Sequence, residues 1–237
     1  MYEGLVNFRD FGGVPSLHGG VVRSGTLFRS GLFSFVGSEA GDHLVATLGV
    51  ATVIDLRTER ELSEHPTPPM FRRHPRLQRV HIPFFRGPEL ADLSLPRGYD
   101  LESWAMRYVG YTEVSGRYAI VRTFEQLLDG GAPPTVFHCW AGKDRTGLVA
   151  AALLDLLGVD DETIGDDYQR SMDWWLPRLD MDELAEGEPQ AGYRTTAPVI
   201  KLALAKIRSR FGSVEKMLLG SDMAPDLPDR LRSSLLT

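Results

Sequence analysis

The sequence predicts an α/β domain with a mostly parallel central sheet flanked by helices. Short apolar runs that read as buried strands, Val50 to Leu56 and Thr135 to Cys139, alternate with segments of helical periodicity, and that alternation implies a parallel sheet. One helical segment, Thr146 to Leu157, is apolar nearly all round, as a central buried helix is. The 237 residues are 43% hydrophobic and 24% charged, which suits a single domain over residues 1–237 with a sizeable core.

The elements follow in order. Val21 to Gly25 and Leu27 to Ser30 read as short strands or extended edges. Ser38 to Leu48 reads as a helix stopped by Gly49. Val50 to Leu56 carries a carboxylate, Asp55, at its end. Val80 to Phe85 reads as a second strand, weakened or bent by Pro83. Residues 86–101, with Pro88, Pro96 and Gly98, read as loop. From Ser103 to Leu128 apolar residues recur at helical spacing, with Ser103 as the cap and Gly110 and Gly116 as points of interruption. Gly130 to Pro134 is a stop, and Thr135 to Cys139 a third strand. Gly158 ends the apolar helix, and Asp160 caps another that runs to about Met172. Residues 173–196 change character: Trp174 and Trp175 precede an acidic run, a composition that suits a mobile lid. Helix resumes from Ala197 to Phe211, and two short helices follow, from Ser213 and from Pro225.

Several function classes are set aside by composition. Lysine and arginine number 26 against 32 acidic residues, a net charge of −6, so no nucleic-acid partner is expected. No apolar run approaches the ~20 residues of a membrane span, so stable membrane insertion is not expected. The histidines at 18, 43, 65, 74 and 81 have no ligand-like spacing, and no metal or other cofactor is expected. A single cysteine allows no internal disulfide. The start of the chain carries Glu3 and no charged-then-apolar leader, which makes cytoplasm the default; secretion by a non-classical route would leave no such mark.

The stretch Val136-Phe137-His138-Cys139-Trp140-Ala141-Gly142-Lys143-Asp144-Arg145-Thr146-Gly147 carries the chemistry. It sets the only cysteine directly after a strand and an arginine six residues on, before a helix. A thiol is a weak nucleophile until ionised, and the mouth of a helix N-terminus favours negative charge. The five residues between Cys139 and Arg145 can curl with their backbone N–H groups inward, a nest sized for phosphate. Arg145 supplies a planar fork for two phosphate oxygens. The Thr146 hydroxyl is placed to hydrogen-bond the Cys139 sulfur and ease its departure. Gly142 permits a tight turn and Gly147 close packing of the helix start. His138 is placed to orient the loop through ring hydrogen bonds. The stretch is not a nucleotide-binding P-loop, because Phe137 stands where a glycine is needed and Asp144 follows the lysine. A sulfur-transfer loop would reach its arginine one residue sooner.

His-Cys-x-x-Gly-Lys-Asp-Arg-Thr-Gly resembles the signature of the atypical bacterial tyrosine phosphatases, a group related to dual-specificity and lipid phosphatases. Asn7 to Gly13, Val53 to Glu61 and Phe211 to Val214 resemble three further motifs of that family, so the resemblance spans nearly the whole chain. It implies the cysteine-phosphatase fold with a helical lid and a cysteinyl-phosphate intermediate. It also implies that Asp144, just before the loop arginine as in myotubularin-type lipid phosphatases, is the general acid. Asp55 is the rival: it ends a neighbouring strand, and its bland role is to cap backbone N–H groups or pair with Arg57. Phosphate and substrate contacts are expected from His138, Trp140, Ala141, Gly142, Lys143, Asp144, Arg145, Phe8 and Arg57. Arg9 and Asp10 could also line the pocket, although Asp10 with Gly12-Gly13 also reads as a simple turn. Lys143 either binds a second phosphate or neutralises the loop. Trp140 replaces the first lysine of phosphoinositide phosphatases that carry two, which weighs against highly charged inositol lipids. The expected partners are a phosphorylated protein, above all on tyrosine, or a phosphoinositide. The rival reading is a regulatory module that binds phosphate without turnover.

Overall fold

A computed structural model describes residues 4–34, 36–69, 71, 74–85, 100–113, 115–178, 196–221 and 223–237. Strands β1 (Arg9–Asp10), β2 (Leu27–Ser30), β3 (Thr52–Asp55), β4 (Gln78–His81) and β5 (Thr135–His138) form one sheet in the order β1-β2-β5-β3-β4. Only β1 runs antiparallel to its neighbour, so the mostly parallel sheet is found. β2, β3 and β5 are buried at every position, because helices cover both faces of a parallel sheet. Along β5 the side chains alternate between two cores: Val136 packs with Phe28, Phe33 and Leu44, and Phe137 with the helical side.

The register places Ser30, His138 and Asp55 side by side at the C-terminal end of the sheet. Ligands bind such sheets beyond that end. The cysteine loop starts there, on the central strand, with a hydrogen-bonded neighbour on each side.

The helices are α1 (Ser38–Asp42), which continues as a wider turn over His43–Thr47, α2 (Glu59–Glu64), α3 (Leu101–Glu113), α4 (Gly116–Leu128), α5 (Asp144–Leu156), α6 (Asp161–Trp175), α7 (Ala197–Phe211), α8 (Val214–Leu219) and α9 (Leu227–Leu235). α5 is the buried central helix, with Leu148 to Leu154 at or near zero exposure. Asp160 caps α6 as expected, accepting from the Thr163 N–H at 3.0 Å.

Four expectations need correction. The second strand lies at Gln78–His81, not Val80 to Phe85. It is an edge strand and carries polar residues there, and it ends before Pro83, which has no N–H to pair. The periodic stretch from Ser103 to Leu128 is two helices that part just before Gly116. The cap of the first is Asp100 rather than Ser103, since its carboxylate accepts from the N–H groups of Glu102 and Ser103 at 3.2 Å each. The central helix starts at Asp144, two residues before Thr146, so Asp144 and Arg145 lie in its first turn.

Among the described residues no helix is long and apolar enough to cross a membrane. The expected loop at 86–101 and lid at 173–196 lie largely outside the described residues. What is described of the latter is the end of α6 and a short turn, Leu176–Arg178.

Candidate active site

Cys139 follows β5 and is 2% exposed. From there to α5 the chain forms a loop whose carbonyls are held outward one after another. The Cys139 carbonyl faces the His138 ring Nδ1 at 3.1 Å. That of Trp140 accepts from the Leu32 N–H at 2.8 Å. Ala141 accepts from Trp175 Nε1 at 3.0 Å and Asn7 Nδ2 at 3.2 Å. Gly142 accepts from Asn7 Nδ2 at 3.0 Å and Arg29 Nη2 at 2.9 Å. A trans peptide sets its N–H opposite its carbonyl, so the amides of Trp140, Ala141, Gly142 and Lys143 face the inside of the loop. That is an anion nest, and the N-terminus of α5 adds its own unpaired N–H groups and dipole. Gly142 makes the turn possible at φ +70, and a Cβ there would sit 2.6 Å from the backbone of Ser30.

A buried network under the loop supplies these donors. Asp167 of α6 accepts from Arg9 Nε at 2.8 Å and from Arg29 Nη1. Arg9 also reaches the Asp167 carbonyl at 2.7 Å, Ser171 Oγ at 3.0 Å and Asn7 Oδ1 at 2.6 Å. Arg9 and Asn7 thus belong to the loop's foundation. Burial works to raise the Asp167 carboxyl, but Arg29 and Arg9 outweigh it and hold it below the ordinary carboxylate range. Burial and the repulsion of Arg29 in turn lower the Arg9 guanidinium to about 10.

Replacing Asp167 by Asn should destabilise the protein by about 3–5 kcal/mol, because two buried guanidinium groups lose their counter-charge. Chemical denaturation measures this. A carboxyl depressed on folding contributes stability above its unfolded value, near ~3.9, and loses it as pH falls through the lower folded value. The wild-type advantage over Asp167→Asn should therefore shrink in acid below about pH 4.

Arg145 lies in the first turn of α5. Its two terminal nitrogens grip the two carboxylate oxygens of Glu61 at 2.6 Å each. Burial works against the Arg145 cation, but Glu61 and the nearby Cys139 raise it overall. Burial likewise works to raise Glu61, yet Arg145 and Thr58 hold it down. Glu61 is also half of a capping box that starts α2. It thereby fixes the plane of the arginine fork from the first turn of α2.

Asp55 and Arg57 form a buried pair. The Arg57 Nε and Nη2 donate to the carboxylate at 2.9 and 2.7 Å, and the Arg57 backbone N–H does so at 3.0 Å. Arg57 Nη1 donates to the His65 carbonyl at 2.7 Å. Burial pushes the Asp55 carboxyl up, but His138 and Arg57 outweigh it and keep it far below the carboxylate range. Arg57, expected among the phosphate-binding residues, is instead fully buried and spent on this pair and on the His65 carbonyl. His138 lies at zero exposure beneath the loop, with Nε2 3.6 Å from Asp55, beyond hydrogen-bond length. Burial lowers its ring below the ordinary histidine value, against the pull of Asp55, and its Nδ1 orients the loop through the Cys139 carbonyl.

Asp144 keeps about a third of its side chain exposed. Its Oδ1 accepts from the Tyr108 hydroxyl at 2.5 Å and lies 3.2 Å from Lys143 Nζ. Lys143 is 5% exposed, with its ammonium 5.7 Å from the centre of the Trp104 ring. Trp140 packs edge-on against His65, and Phe8 stacks on Phe28. Asp10 is the turn residue of the simpler reading, accepting from the N–H groups of Gly12 and Gly25. The Thr146 hydroxyl departs from expectation: it is buried and meets no hydrogen-bond partner among the described residues, the Cys139 sulfur included. Among the described residues no three His, Cys, Asp or Glu side chains converge as a metal site.

Comparison with known proteins shows the family. The profile of the tyrosine phosphatase family matches residues 1–237. The triple specificity protein phosphatase PtpB of Mycobacterium tuberculosis is 32% identical over 199 residues, covering 72% of this chain and 68% of that protein. A tyrosine-protein phosphatase of Nostoc commune is 32% identical over 196 residues, covering 76% and 64%. A Cupriavidus necator relative is 33% identical over 175 residues, covering 72% and 62%. The chain thus spans roughly two thirds of the length of these relatives. Among solved structures, the catalytic domain of the phosphatase SIW14 from S. cerevisiae aligns with a TM-score of 0.44 at 16% identity, covering 89% of this chain and 95% of that one. With a profile that matches from end to end and a cysteine loop built as an anion nest, this chain belongs to the tyrosine phosphatase family.

Proposed function

We propose that the protein is a metal-independent phosphomonoesterase that works through a cysteinyl-phosphate. The observation that carries the reading is the loop itself: consecutive carbonyls tied outward around a lone cysteine, with Arg145 in the adjoining helical turn. The Cys139 thiolate attacks phosphorus in line, the sulfur–phosphorus bond forms, and the bond to the ester oxygen breaks. Loop amides and Arg145 bind the equatorial oxygens and their growing charge. Asp144 gives its proton to the departing oxygen, and Asp55 stays ionised as an anchor for Arg57. Water then hydrolyses the intermediate and restores the thiolate.

The substrate we infer is phosphotyrosine in a protein, with phosphoserine and phosphothreonine as further substrates. Trp140 and the buried, engaged Lys143 give a pocket with one strong phosphate subsite, which favours monophosphates over polyphosphorylated inositol lipids. The reading includes a cytoplasmic site of action in a bacterium. Its test is turnover of phosphotyrosine, phosphoserine and phosphoinositide substrates in excess EDTA, with acid quench of phosphorus-labelled substrate. Label on Cys139 and full rate in EDTA are expected. Dependence on an added divalent metal, or no turnover of any of them, would overturn it.

A further inference from the structure

Two tyrosines from different helices converge on Asp144. The Tyr108 hydroxyl of α3 donates to its Oδ1, and the Tyr168 hydroxyl of α6 meets that of Tyr108. Each hydroxyl has one hydrogen to donate. Tyr108 spends its own on Asp144, so Tyr168 donates to Tyr108, and the chain has one direction. Both tyrosines are almost wholly buried, and burial first, then Asp144, raises the Tyr108 phenol well above its ordinary value. It remains a donor across any working pH.

We infer that Tyr108 and Tyr168 are positioning residues for the general acid, and that they force the catalytic proton of Asp144 onto Oδ2. The argument rests on Asp144 being the acid. Oδ1 faces the Tyr108 hydrogen and the Lys143 ammonium together, so a third hydrogen there would meet two others. Among the described residues the Tyr108 hydrogen bond and the Lys143 contact both fall on Oδ1, which leaves Oδ2 to carry the proton to the leaving oxygen. The rest of the setting is Arg145 beside Asp144 on α5 and Tyr111 on α3, whose phenol feels both Asp144 and Arg145.

An independent observation ties this chain to the cysteine signature. A Cβ on Gly147 would lie 2.7 Å from the Tyr168 ring. The glycine that ends Arg-Thr-Gly therefore makes room for the second tyrosine.

The experiment compares Tyr108→Phe, Tyr168→Phe and Asp144→Asn, alone and as Tyr108→Phe with Asp144→Asn. Each is assayed on a phosphotyrosine peptide and on nitrophenyl phosphate across pH. Removing a donor that favours the charged carboxylate should move the alkaline limb of the Tyr108→Phe profile to higher pH. Below that limb, kcat on phosphotyrosine should fall about tenfold through misaimed proton transfer, with KM and the nitrophenyl rate within about twofold. Tyr168→Phe should give a smaller change of the same kind. In the double variant the Tyr108 effect should vanish. Equal losses on both substrates with the alkaline limb in place, or no loss, would reduce the tyrosines to packing and overturn the inference. If Asp144→Asn itself shows no leaving-group dependence, the acid assignment fails first, and the two failures are distinguishable.

Discussion

Cys139→Ser should lose turnover by about 10⁴-fold or more, as removal of a covalent nucleophile does, while keeping most of its affinity for phosphate. Serine preserves the volume at a buried site and leaves the loop untouched. The carbonyl anchors from Asn7, Arg29, Leu32 and Trp175 do not involve the sulfur, and neither does the Arg145–Glu61 clasp. Binding of inorganic phosphate or a phosphotyrosine peptide, measured by titration calorimetry, should therefore persist. Near-normal turnover in the variant would end the thiolate mechanism. Loss of binding together with turnover would mean that the sulfur, and not the amide nest, holds the ligand.

Asp144→Asn should slow phosphotyrosine hydrolysis by about 10²–10⁴-fold and nitrophenyl phosphate hydrolysis far less. A tyrosine phenol, with a pKa near ~10, needs a proton as it leaves; an activated nitrophenol does not. Asp55→Asn should behave differently. The Asp55 oxygens hold Arg57, so the variant should lose up to about a hundredfold on both substrates alike, through a misplaced strand end and loop. Rates on the two esters, measured in parallel for each variant, decide between the carboxylates. A leaving-group dependence at Asp55 alone would reverse their roles and leave the reaction class standing.

The cysteine loop was legible in the sequence because its task is local. A nest around a phosphate needs a glycine at a positive φ and an arginine at a fixed offset, and both requirements fall within seven residues. The sheet was legible for the same reason wherever strands are buried on both faces. It was misread at β4, whose edge position permits Gln78 and Arg79. What the sequence hid was the foundation. Asp167 is one acid in an acidic helix, and nothing near it announces that Arg9 and Arg29 will meet there. Tyr108 and Tyr168 sit at core-facing helical positions and read as packing; only the fold brings their hydroxyls to Asp144. Glu61 did leave a trace, as the second half of Thr58-x-x-Glu61, but a capping box says nothing about a partner 84 residues away. Arg57 shows the converse: a motif drew attention to the right segment, and burial assigned it a supporting task.

The anchors of the loop bear on when a chain under synthesis completes the proposed site. Its carbonyls are tied to Asn7, Arg29 and Leu32 on one side and to Trp175 on the other, and Asp167 locks that arrangement from α6. The Asn7–Gly142 contact spans 135 residues and the Arg9–Asp167 pair 158, and such closures come late, because the entropy of joining distant segments must be met before the contacts stabilise anything. A ribosome-bound chain that has emerged only as far as Arg145 holds the nucleophile and the arginine but has no completed nest. On the function proposed above, catalysis waits until α6 has emerged and docked, and an unfinished chain turns over no phosphate ester.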